Sequence, residues 1–108
     1  MATTYAILAQ SNPSATTETT LYTASAATVV SSLVICNQTA SAATYRIAVR
    51  PSADGSTAAK HWIVYGATVG GSDSTALTLG LTLATGDKVK IYASTANISF
   101  SAFGSEIA

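Results

Sequence analysis

His61 and Cys36 are the only histidine and the only cysteine of the chain. A Cys–His nucleophile needs the two to meet in space, a juxtaposition that spacing alone leaves open. Cys36 falls inside the apolar run ATVVSSLVICN, however, where a free thiol behaves as a small hydrophobe. A metal centre would need further ligands, and no HxH, HExxH or CxxC spacing occurs. His61 therefore reads as a polar residue on the outer face of its strand. Serine is abundant, but the GxSxG elbow of a hydrolase is missing. The glycine-rich VGGSD lacks the lysine of a phosphate loop and precedes no helical pattern. The carboxylates are Glu18, Asp54, Asp73, Asp87 and Glu106, three of them in turn-like stretches, poor material for the paired acids of a glycosidase. The chain is expected not to be an enzyme and to have no catalytic, cofactor or metal site.

Contact chemistry is better represented. The stretch AATYRIAVRP alternates Tyr45, Ile47 and Val49 with Thr44, Arg46, Ala48 and Arg50. On a strand, Arg46 and Arg50 share the face opposite the core, about 13 Å apart at roughly 3.3 Å per residue. Their guanidinium groups suit bidentate contacts to carboxylates of a partner, although a solvated outer face explains them equally well. In KHWIVYG, placing Ile63 toward the core turns Tyr65 inward and Trp62 outward. An outward Trp62 either closes an end of the fold or stacks on a sugar or protein partner.

These residues need strands to position them, and strands are what the pattern offers. Alternation of period two dominates, with turn signals at regular spacing and no helical window. Expected strands cover TLYTAS, ATVVSSLVICN, AATYRIAVRP, KHWIVYG, ALTLGLTL, KVKIYAS and ISFSAFGSEI, with Asp54–Gly55 and ATGD among the turns. Seven or eight short strands in 108 residues predict one all-β antiparallel β-sandwich, immunoglobulin- or fibronectin-like in the first instance and a jelly roll in the second. Leu33, Ile35, Ile47, Val49, Leu79, Val89, Ile91 and Phe100 are its expected core. Residues 1–17 carry one proline, no charge and many small polar side chains, so they read as an N-terminal arm or linker before a domain at 18–108, with TYAILA either a short strand or part of the arm. Tyr5 and Ile7 give that arm a side with which to dock on a neighbour's sheet edge.

Composition bounds the partners. Charged residues make up 9% of the chain and the net charge is zero, against about 25% in typical globular chains. The five basic residues are too few for a phosphate-tracking surface, so no nucleic-acid partner is expected. No apolar run approaches the roughly 18 residues of a membrane-spanning helix, so no membrane partner is expected either. MATTYAILAQ lacks a basic region followed by a long apolar stretch, which argues against a secretory signal and for synthesis in a reducing cytoplasm. The sequons at Asn37 and Asn97 are then chance matches in a Thr- and Ser-rich chain.

The pieces LYTA (21–24), VICN (34–37), YRIAVRP (45–51), LTLATGDKVKIYAS (81–94) and FGSEI (103–107) give residues 18 to 107 a familiar cast. The chain resembles small β-sandwich virion proteins of tailed bacteriophages, including cyanophages. That resemblance implies a structural protein of the virion, most readily a capsid decoration or cement protein bound in many copies. A tail-fibre or baseplate subunit is the alternative, and a carbohydrate-binding module using Trp62 and Tyr65 is a third. The implied partners are the major capsid protein or tail proteins, with homo-oligomer formation, and the implied location is the virion, after synthesis in the host cytoplasm. The resemblance brings no catalytic residues. Its possible interface residues are Tyr5, Ile7, Arg46, Arg50 and Trp62.

Overall fold

The computed structural model describes residues 3–107. Among them run eight strands: β1 (Thr3–Ser11), β2 (Thr19–Thr23), β3 (Ala27–Asn37), β4 (Ala43–Arg50), β5 (Trp62–Val69), β6 (Ser74–Leu83), β7 (Lys88–Ala93) and β8 (Ile98–Ile107). A short 3-10 turn, Ala59–His61, leads into β5. The strands form two four-stranded sheets, β1-β8-β3-β6 and β2-β7-β4-β5, antiparallel throughout. The expected all-β sandwich is present. The pairing is nested: β4 with β5, β3 with β6, β2 with β7 and β1 with β8. A long hairpin folded over on itself gives this order. It is the jelly-roll order, the second of the two sandwich topologies weighed, rather than the immunoglobulin one.

The core lies between the sheets. Val30, Leu33, Ile35, Ile98, Phe100 and Ala102 come from the first sheet, and Tyr45, Ile47, Val69, Val89 and Ile91 from the second. Tyr45 meets Phe100 edge to face at 6.3 Å, tying one sheet to the other. Six of the eight expected core residues are fully buried, and Val49 is half-buried against the cluster. Leu79 departs from expectation and is 42% exposed. The straight-strand reading of ALTLGLTL fails there because Gly80 adopts φ +63, in the left-handed region. The register skips at that point, between Thr78 opposite Ser32 and Leu81 opposite Val30.

Two glycines show why the sequence needs no side chain at their positions. A β carbon on Gly104 would collide with the Val29 carbonyl, where β8 crosses closely beside β3. One on Gly71 would collide with the Ala40 carbonyl. At the same end of the sandwich, Asn37 is 1% exposed and fastens the β3–β4 and β5–β6 loops to each other. Its Nδ2 donates to the carbonyls of Ser41, Val69 and Gly70, and its Oδ1 accepts from the N–H and hydroxyl of Thr39. A side chain so enclosed has no room for a glycan.

The segment expected as a free arm closes on its own chain. Over Thr3–Ser11 it is the edge strand of the first sheet, paired with β8 from Thr3 opposite Ile107 to Ser11 opposite Phe100. Leu8 and Ala9 pack against the core, and Pro13 is buried. Tyr5 and Ile7 remain 83% and 60% exposed.

Candidate functional site

The two outer faces of the sandwich differ in chemistry, and register explains how. On the second sheet, Arg46 lies opposite Tyr65 of β5 on one side and Tyr92 of β7 on the other. The neighbouring row runs Thr20, Lys90, Ala48, Trp62, and Arg50 sits opposite Lys88 in the next. Arg46, Arg50, Lys88 and Lys90, four of the five basic residues of the chain, thus share one face. Of the carboxylates, only Glu18 is drawn into this group. Asp54 pairs with His61, Asp87 accepts the N–H groups of Ser52 and Ala84, Asp73 accepts that of Ser74, and Glu106 accepts the Ser25 hydroxyl. A chain with no net charge therefore carries one cationic surface.

Arg46 is held by rings. Its guanidinium carbon stands 4.1 Å from the centre of Tyr65 and 4.4 Å from that of Tyr92. Each such contact stabilises by about 0.5–1 kcal/mol at an exposed site. Trp62 meets Tyr65 at 5.5 Å with the ring planes at 73°. Trp62 and Tyr65, with Thr57, Ala58 and Ala59 of the loop before β5, line an open cleft of about 470 Å³. Thr57 Oγ1 donates to Glu18 Oε2 at 2.7 Å and receives Arg50 Nη1 at 3.4 Å. Arg50 Nε is buried and has no partner. Lys90 Nζ donates to Thr20 at 2.6 Å and lies 3.9 Å from Glu18. Partial burial lowers the Lys90 pKa below the usual lysine value, the Arg50 charge adds to this, Glu18 opposes it and Lys88 adds a little more.

The face assignment of β5 is a correction. Tyr65 is 64% exposed and Ile63 is 46% exposed, so neither points to the core, which instead receives part of Val64 and Ala67. Two irregularities cause this. The register skips Gly66, whose φ is +80, and skips Ile63. Each skipped residue reverses the alternation that a straight strand would keep. Trp62 and Tyr65 consequently stand on the same side as Arg46, an arrangement that a strictly alternating strand forbids. Trp62 is half-buried.

His61 is also corrected: it is 5% exposed and lies in the turn before β5 rather than on an outer strand face. Both ring nitrogens are engaged, Nδ1 by the Ala58 N–H and Nε2 by Asp54. Cys36 is half-buried on the outer side of β3 in the other sheet. The two do not form a pair. No group of three or more His, Cys, Asp or Glu side chains able to hold a metal occurs among the described residues.

The outer face of the first sheet is the opposite surface. Register aligns Ile7, Phe103, Ser32 and Thr78 in one row and Gln10, Ser101, Val34 and Ala76 in the next. Tyr5, Ser105, Val29 and Thr82 make the row on one side, and Ser99, Cys36 and Ser74 extend the face on the other. None of these residues is ionic. A bulge at Ser31 sets this face, because it lets Val30 and Leu33 both point inward. Comparison of the chain with protein-family models, with curated proteins and with solved structures found no match.

Proposed function

We propose that this chain is a non-enzymatic structural protein of a bacteriophage virion, of the capsid-decoration kind, attached in many copies. The observation that carries the reading is the uncharged outer face of the first sheet, bordered by exposed Tyr5 and Ile7. Burying such a face leaves no ionic group without a partner, so its association avoids the largest desolvation cost. The free edge of β1 adds backbone N–H and C=O groups that a neighbouring strand can pair. About 800 Å² buried per partner suffices for a specific contact. A protein that binds only the assembled lattice stabilises that lattice by mass action. Jelly-roll order is shared by viral capsid and lectin domains, which supports the reading by analogy of fold only.

The partner in this reading is the major capsid protein or a further copy of the chain. The measurement is the abundance of the chain in purified particles of the phage that encodes it. Hundreds of copies on the shell support capsid decoration, and a handful assign it to the tail-fibre or baseplate alternative. Absence from the particle overturns both. Val34→Glu, which plants a charge in the middle of the uncharged face, should release the protein from particles while leaving the isolated chain folded.

A further inference from the structure

We infer that the cleft beside Trp62 and the cationic face around it form a binding site for an acidic glycan, one whose sugar rings carry carboxylate or sulfate groups. The inference does not depend on the attachment reading, because it uses the opposite sheet face. It starts from an uncompensated charge. The ion pairs among the described residues are His61 with Asp54 and Lys90 with Glu18, so Arg46 has no carboxylate. Its guanidinium carbon lies over the rings of both Tyr65 and Tyr92. The edge of the guanidinium carries the N–H groups, and that edge is what bidentate recognition of a carboxylate or sulfate uses. The side chain is already ordered by the two rings, so little rotamer entropy remains to be lost on binding.

The cleft supplies the second half of the recognition. Tyr65 is exposed yet braced by contacts with both the Arg46 guanidinium and the Trp62 ring. Ring surface next to Ala58, Ala59 and the Thr57 hydroxyl fits the mixed C–H and hydroxyl surface of a pyranose. A volume of about 470 Å³ falls within the usual range for small-ligand sites. Arg50 lies beyond Thr57, where Glu18 bonds Thr57, sits beside Lys90 and offsets part of the charge, so Arg46 is the cation left for the acidic group of the ligand.

Two competing occupants fit less well. Single-stranded nucleic acid binds by stacking bases on open aromatic faces. Here the guanidinium of Arg46 already takes a face of both Tyr65 and Tyr92. An acidic peptide could meet the cations but has no need of the aromatic cleft.

Trp62 is the sole tryptophan, so its fluorescence reports occupancy of the cleft directly. The test titrates the full chain with an oligogalacturonate, with a sulfated oligosaccharide of equal length, and with a neutral gluco-oligosaccharide. Oligoglutamate and a single-stranded DNA oligomer complete the series. At least one acidic sugar should shift the emission and bind about tenfold or more tighter than the neutral one. Added salt should weaken that binding by screening. Arg46→Gln and Tyr65→Ala should each lose about tenfold, whereas Gln10→Ala on the other sheet should bind as the parent does. Exposed Tyr65 can be removed without opening the core, and circular dichroism verifies that each variant is folded. Equal binding of the neutral sugar, tighter binding of the peptide or the DNA, or no emission change at millimolar acidic sugar would each overturn the inference.

Discussion

Nε2 of His61 lies 2.8 Å from Oδ2 of Asp54. Nδ1 of the same ring accepts the Ala58 N–H at 2.8 Å, so the proton resides on Nε2 and is donated to the carboxylate. One ring thereby ties the Asp54 turn to the turn that opens β5 and shapes one wall of the cleft. His61→Ala removes a buried ring and its bonds to exposed Ala58 and partly exposed Asp54, whose freed groups water can reach, so the loss should be about 1 kcal/mol. Asp54→Asn keeps an acceptor and should cost less. Urea unfolding of the two variants checks this, and an unchanged midpoint for His61→Ala would mean that the clasp is dispensable.

Ile47 sits at the centre of the core with no exposed surface. Truncation to alanine removes its transfer energy and leaves a cavity between sheets that cannot collapse far. The expected loss is about 2–5 kcal/mol in denaturant unfolding. Leu79→Ala is the contrasting case: its side chain is 42% exposed, so the same kind of truncation should be nearly neutral.

Period-two alternation carried most of the fold into view, since β3, β4, β7 and β8 bury nearly the expected residues. What alternation cannot carry is an irregularity that resets it. Ser31, Ile63 and Gly66 each interrupt the register; nothing in SSL or WIV distinguishes a bulged residue from a paired one, and only the glycine of YGA carries a signal. The candidate site suffered more than the core for this reason. Arg46 was legible as an outward residue, but its two tyrosine neighbours depend on which strands flank β4 and on the bulges of β5. Asn37 was read as part of a sequon, yet its role as a hub follows from loops that meet only in space. Residues 1–17 looked unable to order themselves on composition alone, yet Thr3–Ser11 forms a paired strand. β8, far along the chain, supplies the pairing partner that composition does not reveal.

Asn37→Ala gives the third expectation. Its five hydrogen bonds reach Thr39, Ser41, Val69 and Gly70, and the residue is 1% exposed. Removal strands several backbone groups at once, so the loss should be at the upper end of about 1–3 kcal/mol or above it. Asn37→Asp keeps the acceptor but sets a carboxylate against three carbonyls and should do no better. Thermal unfolding of both variants measures the effect, and a melting temperature within error of the parent would remove Asn37 from its assigned role.

Tyr45 provides a pH dependence. Burial raises its phenol pKa above the usual value, because the folded core disfavours the phenolate. The sign follows from linkage. Below the unfolded-state pKa of about 10 both states hold the proton and the contribution is complete. As pH rises beyond that point the unfolded chain releases its proton first, and stability falls until the folded pKa is passed. Tyr45→Phe keeps the edge contact with Phe100 and has no proton to lose. Its stability relative to the parent should therefore rise from neutral pH to alkaline pH. Parallel urea titrations of the two proteins across that range check the slope, and parallel curves would contradict it.

The first strand yields the last expectation. β1 pairs with β8 along Thr3–Ser11, and Leu8 and Ala9 pack on the core. A chain that starts at Glu18 lacks this strand and the buried Pro13 that follows it. β8 then becomes the sheet edge, ten residues long, with Phe100 and Ala102 losing part of their cover. Two consequences should appear together. Stability should drop, since backbone pairs and apolar contacts are lost. Self-association should also increase, because a long unpaired edge invites another strand. Adding a synthetic peptide of residues 1–12 should restore both the melting temperature and the original sedimentation profile by refilling the edge. If the truncated chain instead unfolds at the parent's midpoint and sediments as the parent does, β1 contributes nothing to the fold, and the segment is available to a neighbouring molecule.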